Sequence, residues 1–345
     1  MACGTSVIDA TQKLQALRSP ACYPGAASSI EIIETHFAWI FMVGPHAYKM
    51  KKPVHHIDLD LRTLAARKRN CDEEVRLNRR LAPDVYHGVV ALARTADGTL
   101  RVAGEGEPVD WLIWMRRLPA HLMLDRAIGA GRVPAASLQQ VGIRLARFYR
   151  QQNRHSYLPP EYLARLDHQI REDQRALLAP ELQLDAAGVQ AMIDITRRAM
   201  DVCSGELGHR ALEGRIVDAH GDLRPEHICL SDPPCIIDAL EFSADLRTLD
   251  ALEELAFLMV ECEVAGAADV GVQILDAYGD ESCDRFSPGL LDFYRARRTT
   301  VRAKIIAWHL CDPSVMHLAP WASRAGAYIE MAERYARRSM ETSGS

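Results

Sequence analysis

The spacing of apolar residues changes once along the chain. From residue 30 to about 115 they come in short runs rich in Ile, Val, Trp and Phe, as strands do. Ile30–Glu34, Phe37–Val43 and Ala47–Lys51 are three such runs, with Gly44-Pro45-His46 turning the chain before the third and Pro53 ending it. Val85–Ala93 and Leu100–Ala103 predict a hairpin around Ala96-Asp97-Gly98, and Trp111–Met115 predicts a further strand. A helix interrupts them over 62–81, where Leu64, Cys71, Val75, Asn78 and Leu81 recur at helical spacing until Pro83. A short helix over Ile8–Leu17 comes first.

Beyond about residue 120 the period is helical, over 136–152, 160–178, 185–204, 250–265, 267–278, 287–311 and 320–341. One strand-rich island, Arg215–Phe242, lies among these helices. The pattern predicts an α+β chain of two lobes: a β-rich lobe over 1–118 and a mostly helical lobe over 119–345.

Composition narrows the classes. With 48% hydrophobic and 25% charged residues, the chain has the balance of a folded globular protein. No apolar run reaches the roughly 18 residues of a membrane helix. The first twenty residues lack a basic start followed by an apolar core, so no secretory leader is expected and the cytoplasm is the expected compartment. The nine cysteines are scattered and odd in number, which predicts reduced thiols; the Cys229/Cys235 pair has no matching second pair for zinc. Residues 1–120 carry 16 Lys and Arg against 13 Asp and Glu, the remainder 25 against 33, and the net charge of −5 gives no reason to expect nucleic acid.

The island carries the candidate chemistry. In RIVDAHGDLRPEHICLSDPPCIIDALEF, His220-Gly221-Asp222 follows an apolar strand, two short β runs flank a Ser-Asp-Pro-Pro turn, and the second run ends at Asp238. Two carboxylates set this way suit phosphoryl transfer, where one orients the attacking hydroxyl and the other holds Mg²⁺ against the nucleotide. The strand Ala47–Lys51 offers a phosphate lysine in Lys49 or Lys51, and the next helix offers Glu74 to hold it.

HGDLRPEH…IIDALEF resembles the catalytic loop and metal strand of the aminoglycoside phosphotransferase family, within the protein-kinase-like fold. AYKMKKPV is similar to the corresponding segment of bacterial members with no assigned substrate. The resemblance runs from about residue 30 to 310. It implies Asp222 as catalytic Asp, His220 as its brace, Asp238 as metal ligand, and ATP with Mg²⁺ as cofactors, with Mn²⁺ an option raised by the histidine at position 227. It places Met115 and Arg116 at the hinge that meets adenine. His227 stands where the family has a metal-binding Asn, and imidazole is a poorer partner for Mg²⁺ than oxygen; Glu226 and Glu241 are nearby oxygen donors, and Glu241 is the one taken as a candidate metal ligand. No G-x-G-x-x-G joins the first two strands; Glu34-Thr35-His36 does, and there Thr35 could meet a phosphate through its hydroxyl.

The expected activity is transfer of the γ-phosphoryl of ATP to a hydroxyl of a small molecule. A nucleotide-binding pseudokinase, a protein-modifying transferase and a metal hydrolase are the alternatives. Arg295, Arg298 and Arg302 form a basic stripe, and Glu253, Glu254, Glu261 and Glu263 an acidic cluster; they point to acceptors of opposite charge.

Overall fold

The computed structural model describes residues 8–25, 29–56, 59–311, 317 and 319–342. Cys3, the N-terminal segment where no leader was expected, and the tail 343–345 lie outside the described residues. The chain forms two compact units. One combines residues up to Met123 with Cys235–Ala244; the other comprises Leu124–Pro234 and Asp245 onward.

The first unit begins with helix α1 (Ala10–Leu17), whose Asp9 and Gln12 cap each other's backbone in a capping box. Strands β1 (Ile30–Glu34), β2 (Ala38–Val43) and β3 (His46–Lys51) follow, then the short β4 (His55–His56) and β5 (Leu59–Asp60). Helix α2 spans Leu64–Asn78, capped by the Thr63 hydroxyl. Strands β6 (Tyr86–Arg94), β7 (Leu100–Val102) and β8 (Glu107–Arg116) complete a six-stranded antiparallel sheet of order β1-β2-β3-β8-β6-β7.

Side chains alternate across β3. Tyr48 and Met50 join Phe41, Leu92 and Leu112 in an apolar cluster with Leu17 of α1. Lys49 and Lys51 point the other way, toward α2, where Glu74 lies fully buried. Buried Asp110 of β8 accepts from Lys13 at 2.8 Å and from Arg67 at 2.7 Å, which ties both helices to the sheet.

The second unit is mainly helical: α3 (Leu124–Gly129), α4 (Ala135–Gln151), α5 (Pro159–Leu177) and α6 (Ala186–Leu212) come before the island. The island supplies β9 (Ile216–Asp218) and β10 (Ile228–Cys229), and then β11 (Cys235–Ile236), which belongs to the first unit. After the turn α7 (Ala244–Arg247), strand β12 (Thr248–Asp250) pairs antiparallel with β9, Leu249 opposite Val217. Helices α8 (Ala251–Val264), α9 (Ala268–Ser282), α10 (Pro288–Trp308) and α11 (Trp321–Thr342) finish the chain.

The α+β class holds, with a β-rich N-terminal lobe and a helical C-terminal lobe. Several boundaries differ from the pattern, those of α6 and β8 among them. Helix α6 runs on to Leu212 rather than stopping near 204. Gly205 and Gly208 look like breakers, but Gly208 is where Pro159 of α5 packs: a Cβ there would stand 2.9 Å from the proline Cβ. Strand β8 starts at Glu107, four residues before Trp111, because its pairing with β6 extends past Asp110 to Glu107.

Candidate active site

In the first unit the charges gather around Lys49. Its Nζ donates to Glu74 Oε1 at 2.9 Å and to Asp238 Oδ1 at 2.6 Å. Lys51, two residues on, donates to Glu241 Oε1 at 2.7 Å and faces Glu74 Oε2 as a charge contact without hydrogen-bond alignment. Burial works against both ammonium groups, but the charges of Asp238 and Glu74 at Lys49, and of Glu241 and Glu74 at Lys51, outweigh it and raise both pKa values.

Asp238 sits in the left-handed region with φ of 64°, where a residue with a Cβ is strained by about 1 kcal/mol or more. Two hydrogen bonds hold it there: Asp238 N–H donates to Tyr86 Oη at 3.2 Å, and Ala239 N–H donates to Asn78 Oδ1 at 2.9 Å. Asn78 is one helical turn beyond Glu74 and donates back to its carbonyl, so one face of α2 places both the lysine's partner and the aspartate's backbone.

In the second unit the HGD segment is held from behind. Gly221 adopts φ of 89°, which glycine reaches without strain. Buried His220 accepts the Asp222 N–H on Nδ1 at 3.3 Å. Glu254, nearly inaccessible inside α8, accepts from His220 N–H at 3.1 Å, Gly221 N–H at 2.5 Å and Tyr149 Oη at 2.7 Å. His227 donates from Nδ1 to the Asp222 carbonyl at 2.7 Å, so it too braces the loop. The Asp222 side chain remains 31% exposed and meets the Arg224 guanidinium at 3.1 Å. Burial pushes its carboxyl up, but His227, Arg224, His220 and Arg302 pull it further down, below the ordinary aspartate value.

A six-stranded antiparallel sheet with helices α1 and α2, followed by a helical unit with a braced HGD loop, decides the fold. It is the fold of the choline and ethanolamine kinases. A choline kinase from Cryptosporidium parvum aligns over 96% of this chain and 97% of its own, with a TM-score of 0.56 and 10% identity. A choline/ethanolamine kinase family protein from Mesorhizobium loti aligns over 94% and 99%, with a TM-score of 0.54 and 14% identity. An aminoglycoside phosphotransferase, APH(4)-Ia, aligns over 90% of this chain and 94% of its own, with a TM-score of 0.48 and 10% identity. No family model matches the chain. An uncharacterised protein of Mycobacterium tuberculosis is 33% identical over 282 residues, which are 80% of this chain and 54% of that protein. The chain thus spans about half the length of the curated relatives it matches.

The remaining expected residues of this kinase-like fold have definite places. Thr35 donates its hydroxyl to the Ala38 carbonyl and accepts the Ala38 N–H, both at 3.0 Å, closing the β1–β2 turn. Met115 lies in the ladder between Ala47 and Tyr86, and exposed Arg116 donates its N–H to Val85. No group of three His, Cys, Asp or Glu side chains able to hold a metal gathers among the described residues. The donor set within each unit is informative all the same. Asp238 offers a hard carboxylate, 42% exposed, of the type Mg²⁺ takes; Glu241 accepts from Lys51, and His227 donates from Nδ1 to the loop. Of the eight described cysteines, six are buried. None of the described helices is long and apolar enough to cross a membrane.

The acidic cluster is corrected. Glu253 and Glu254 are buried, the first against Arg297 and the second behind the HGD loop, so neither faces an acceptor. The sequence marked Glu254 only as one of an acidic cluster, and neither Asn78 nor Tyr86 as a site-building residue. The one available signal was an acid inside the apolar run Leu252–Leu258.

Proposed function

We propose that the chain is an ATP-dependent phosphotransferase acting on a hydroxyl of a small molecule. The observation that carries this is Lys49 held between buried Glu74 and the strained Asp238, in a fold shared with choline kinases. In this reading Lys49 binds the α- and β-phosphates and Glu74 keeps its ammonium in place. Lys51 and Glu241 hold the segment that carries Asp238. Asp238 would hold Mg²⁺, which would neutralise charge on the β- and γ-phosphates. Met115 and Arg116 lie at the end of β8, where backbone groups would meet adenine.

Asp222 orients the acceptor hydroxyl for in-line attack. The lowered pKa makes it a weak base, which suits a loose transition state in which the hydroxyl proton leaves late. His220 and His227 fix its backbone.

The test is ATP turnover with Mg²⁺ and with Mn²⁺, for wild type and Asp222→Asn, beside nucleotide binding by calorimetry. The expected result is turnover lowered by about 100-fold or more in the variant, with ATP affinity changed by less than about threefold. Turnover that survives the substitution would exclude this role for Asp222. A second reading, a nucleotide binder without transfer, is favoured by His227: the imidazole that stands in for the family's Asn is engaged with the Asp222 carbonyl. Binding without turnover in either metal, across an acceptor panel, would support it.

A further inference from the structure

The basic stripe on α10 splits once its partners are known. Arg295 turns to Glu263 and Tyr335. Arg298 turns to the HGD loop. Its guanidinium lies over the Phe257 ring, 4.6 Å from the centroid, and Nη2 donates to the Gly221 carbonyl at 3.3 Å, beside Asp222. Its Nε is buried without a hydrogen-bond partner, and it makes no ion pair among the described residues. Arg302, one turn further, meets Glu261 at 3.3 Å as a charge contact and lies near enough to help lower the Asp222 pKa. Arg224 spans Asp222 and Glu226 at 3.1 and 2.6 Å.

We infer that the acceptor carries an oxyanion, a carboxylate or a phosphate ester, next to the hydroxyl that Asp222 orients, and that Arg298 with Arg302 recognises it. This rests on the phosphotransferase reading of Asp222. Asp222, Glu226 and Glu261 each already face a guanidinium, while Arg298 has a carbonyl, a ring and the field of buried Glu254 behind the loop, but no carboxylate in ion-pair contact. A cationic acceptor would meet like charge at Arg298 and compete with arginines for every carboxylate. An oxyanion would supply the direct ion-pair partner Arg298 lacks, in the forked geometry a guanidinium favours.

The experiment offers the full chain, with ATP and Mg²⁺, four probes: glycerate, glycerol 3-phosphate, glycerol and choline. Expected is kcat/KM for at least one anionic probe about tenfold or more above glycerol and choline. Arg298→Glu should lower that ratio about tenfold or more, chiefly through KM, and Arg298→Lys should restore most of it. Selectivity is the readout because a merely structural role for Arg298 would depress all probes alike. Preference for choline, or a ratio unmoved in Arg298→Glu, overturns the inference and leaves the phosphotransferase reading standing. If no probe supports turnover, calorimetry of glycerate and glycerol 3-phosphate without nucleotide decides. Binding lost in Arg298→Glu and kept in Arg298→Lys supports the oxyanion site, and no binding to wild type overturns it. Which anionic probe works separates carboxylate from phosphate ester.

Discussion

At Asp222 burial and charge oppose each other, and charge wins. Its native pKa lies below the roughly 3.9 of an unfolded aspartate, so its charge stabilises the fold above that value and ceases to as pH falls through the native one. Two outcomes follow. The rate–pH profile should carry no acid limb from Asp222 above about pH 4, and a limb that vanishes in Asp222→Asn at higher pH would contradict the geometry. In urea unfolding, the stability gap between wild type and Asp222→Asn should narrow from about pH 5 toward pH 3. Glu254 is the opposite case: burial raises its pKa against the pull of Tyr149 and the Gly221 and His220 amides. Its substitution by Gln turns an amide donor toward backbone donors, with an expected loss of about 1–3 kcal/mol. Faster hydrogen exchange at His220 and Gly221 would show it, and unchanged exchange would remove Glu254 from the loop's support. The sequence made Lys49, Glu74, Asp222 and Asp238 legible because side-chain type and order suffice to mark them. Glu254, Asn78 and Tyr86 act on backbone amides far along the chain, and no residue pattern records that.

At the level of elements, most long helices were legible because each buries one stripe (α8, buried on all sides over Ala251–Val260, is the exception), and the strands because their apolar runs are short. What periodicity did not reveal was close approach between elements. Helices α4 and α9 cross at Gly142, where a Cβ would stand 2.5 Å from the Ile274 carbonyl oxygen and 2.6 Å from the Ala277 Cβ. Backbone cannot step aside as a flexible side chain can, so Gly142→Ala should destabilise by about 1–3 kcal/mol despite alanine's better helix propensity. A raised melting temperature would show that the helices separate more readily than this contact implies. The β9–β12 pairing was also hidden: its strands are three residues each, too short to carry a period. That pair flanks the site, since the chain passes from β9 into His220 and from β12 into the helix that holds Glu254, with Asp250 as the helix cap.

In the whole molecule, the chain leaves the second unit after Pro234, runs ten residues in the first, and returns at Asp245. Those residues bring Asp238 and Glu241 to the two lysines of β3. A fragment ending at Met123 would keep the six strands but leave two buried ammonium groups with one carboxylate between them. Breaking buried pairs of this kind costs about 3–5 kcal/mol, so the fragment should show little cooperative unfolding by circular dichroism. Lys51→Met within the fragment should recover part of it, because a buried charge is then gone.

The same excursion sets an order in time. During synthesis the sheet emerges first, and the segment that neutralises it follows after the whole stretch from Leu124 to Pro234. At about 5–20 residues per second, the ribosome carries an unfinished sheet for roughly 5–20 s, with Glu74 shared by both lysines. A nascent chain halted at residue 200 should therefore be protease-sensitive across β3, and one halted well beyond residue 244 should not.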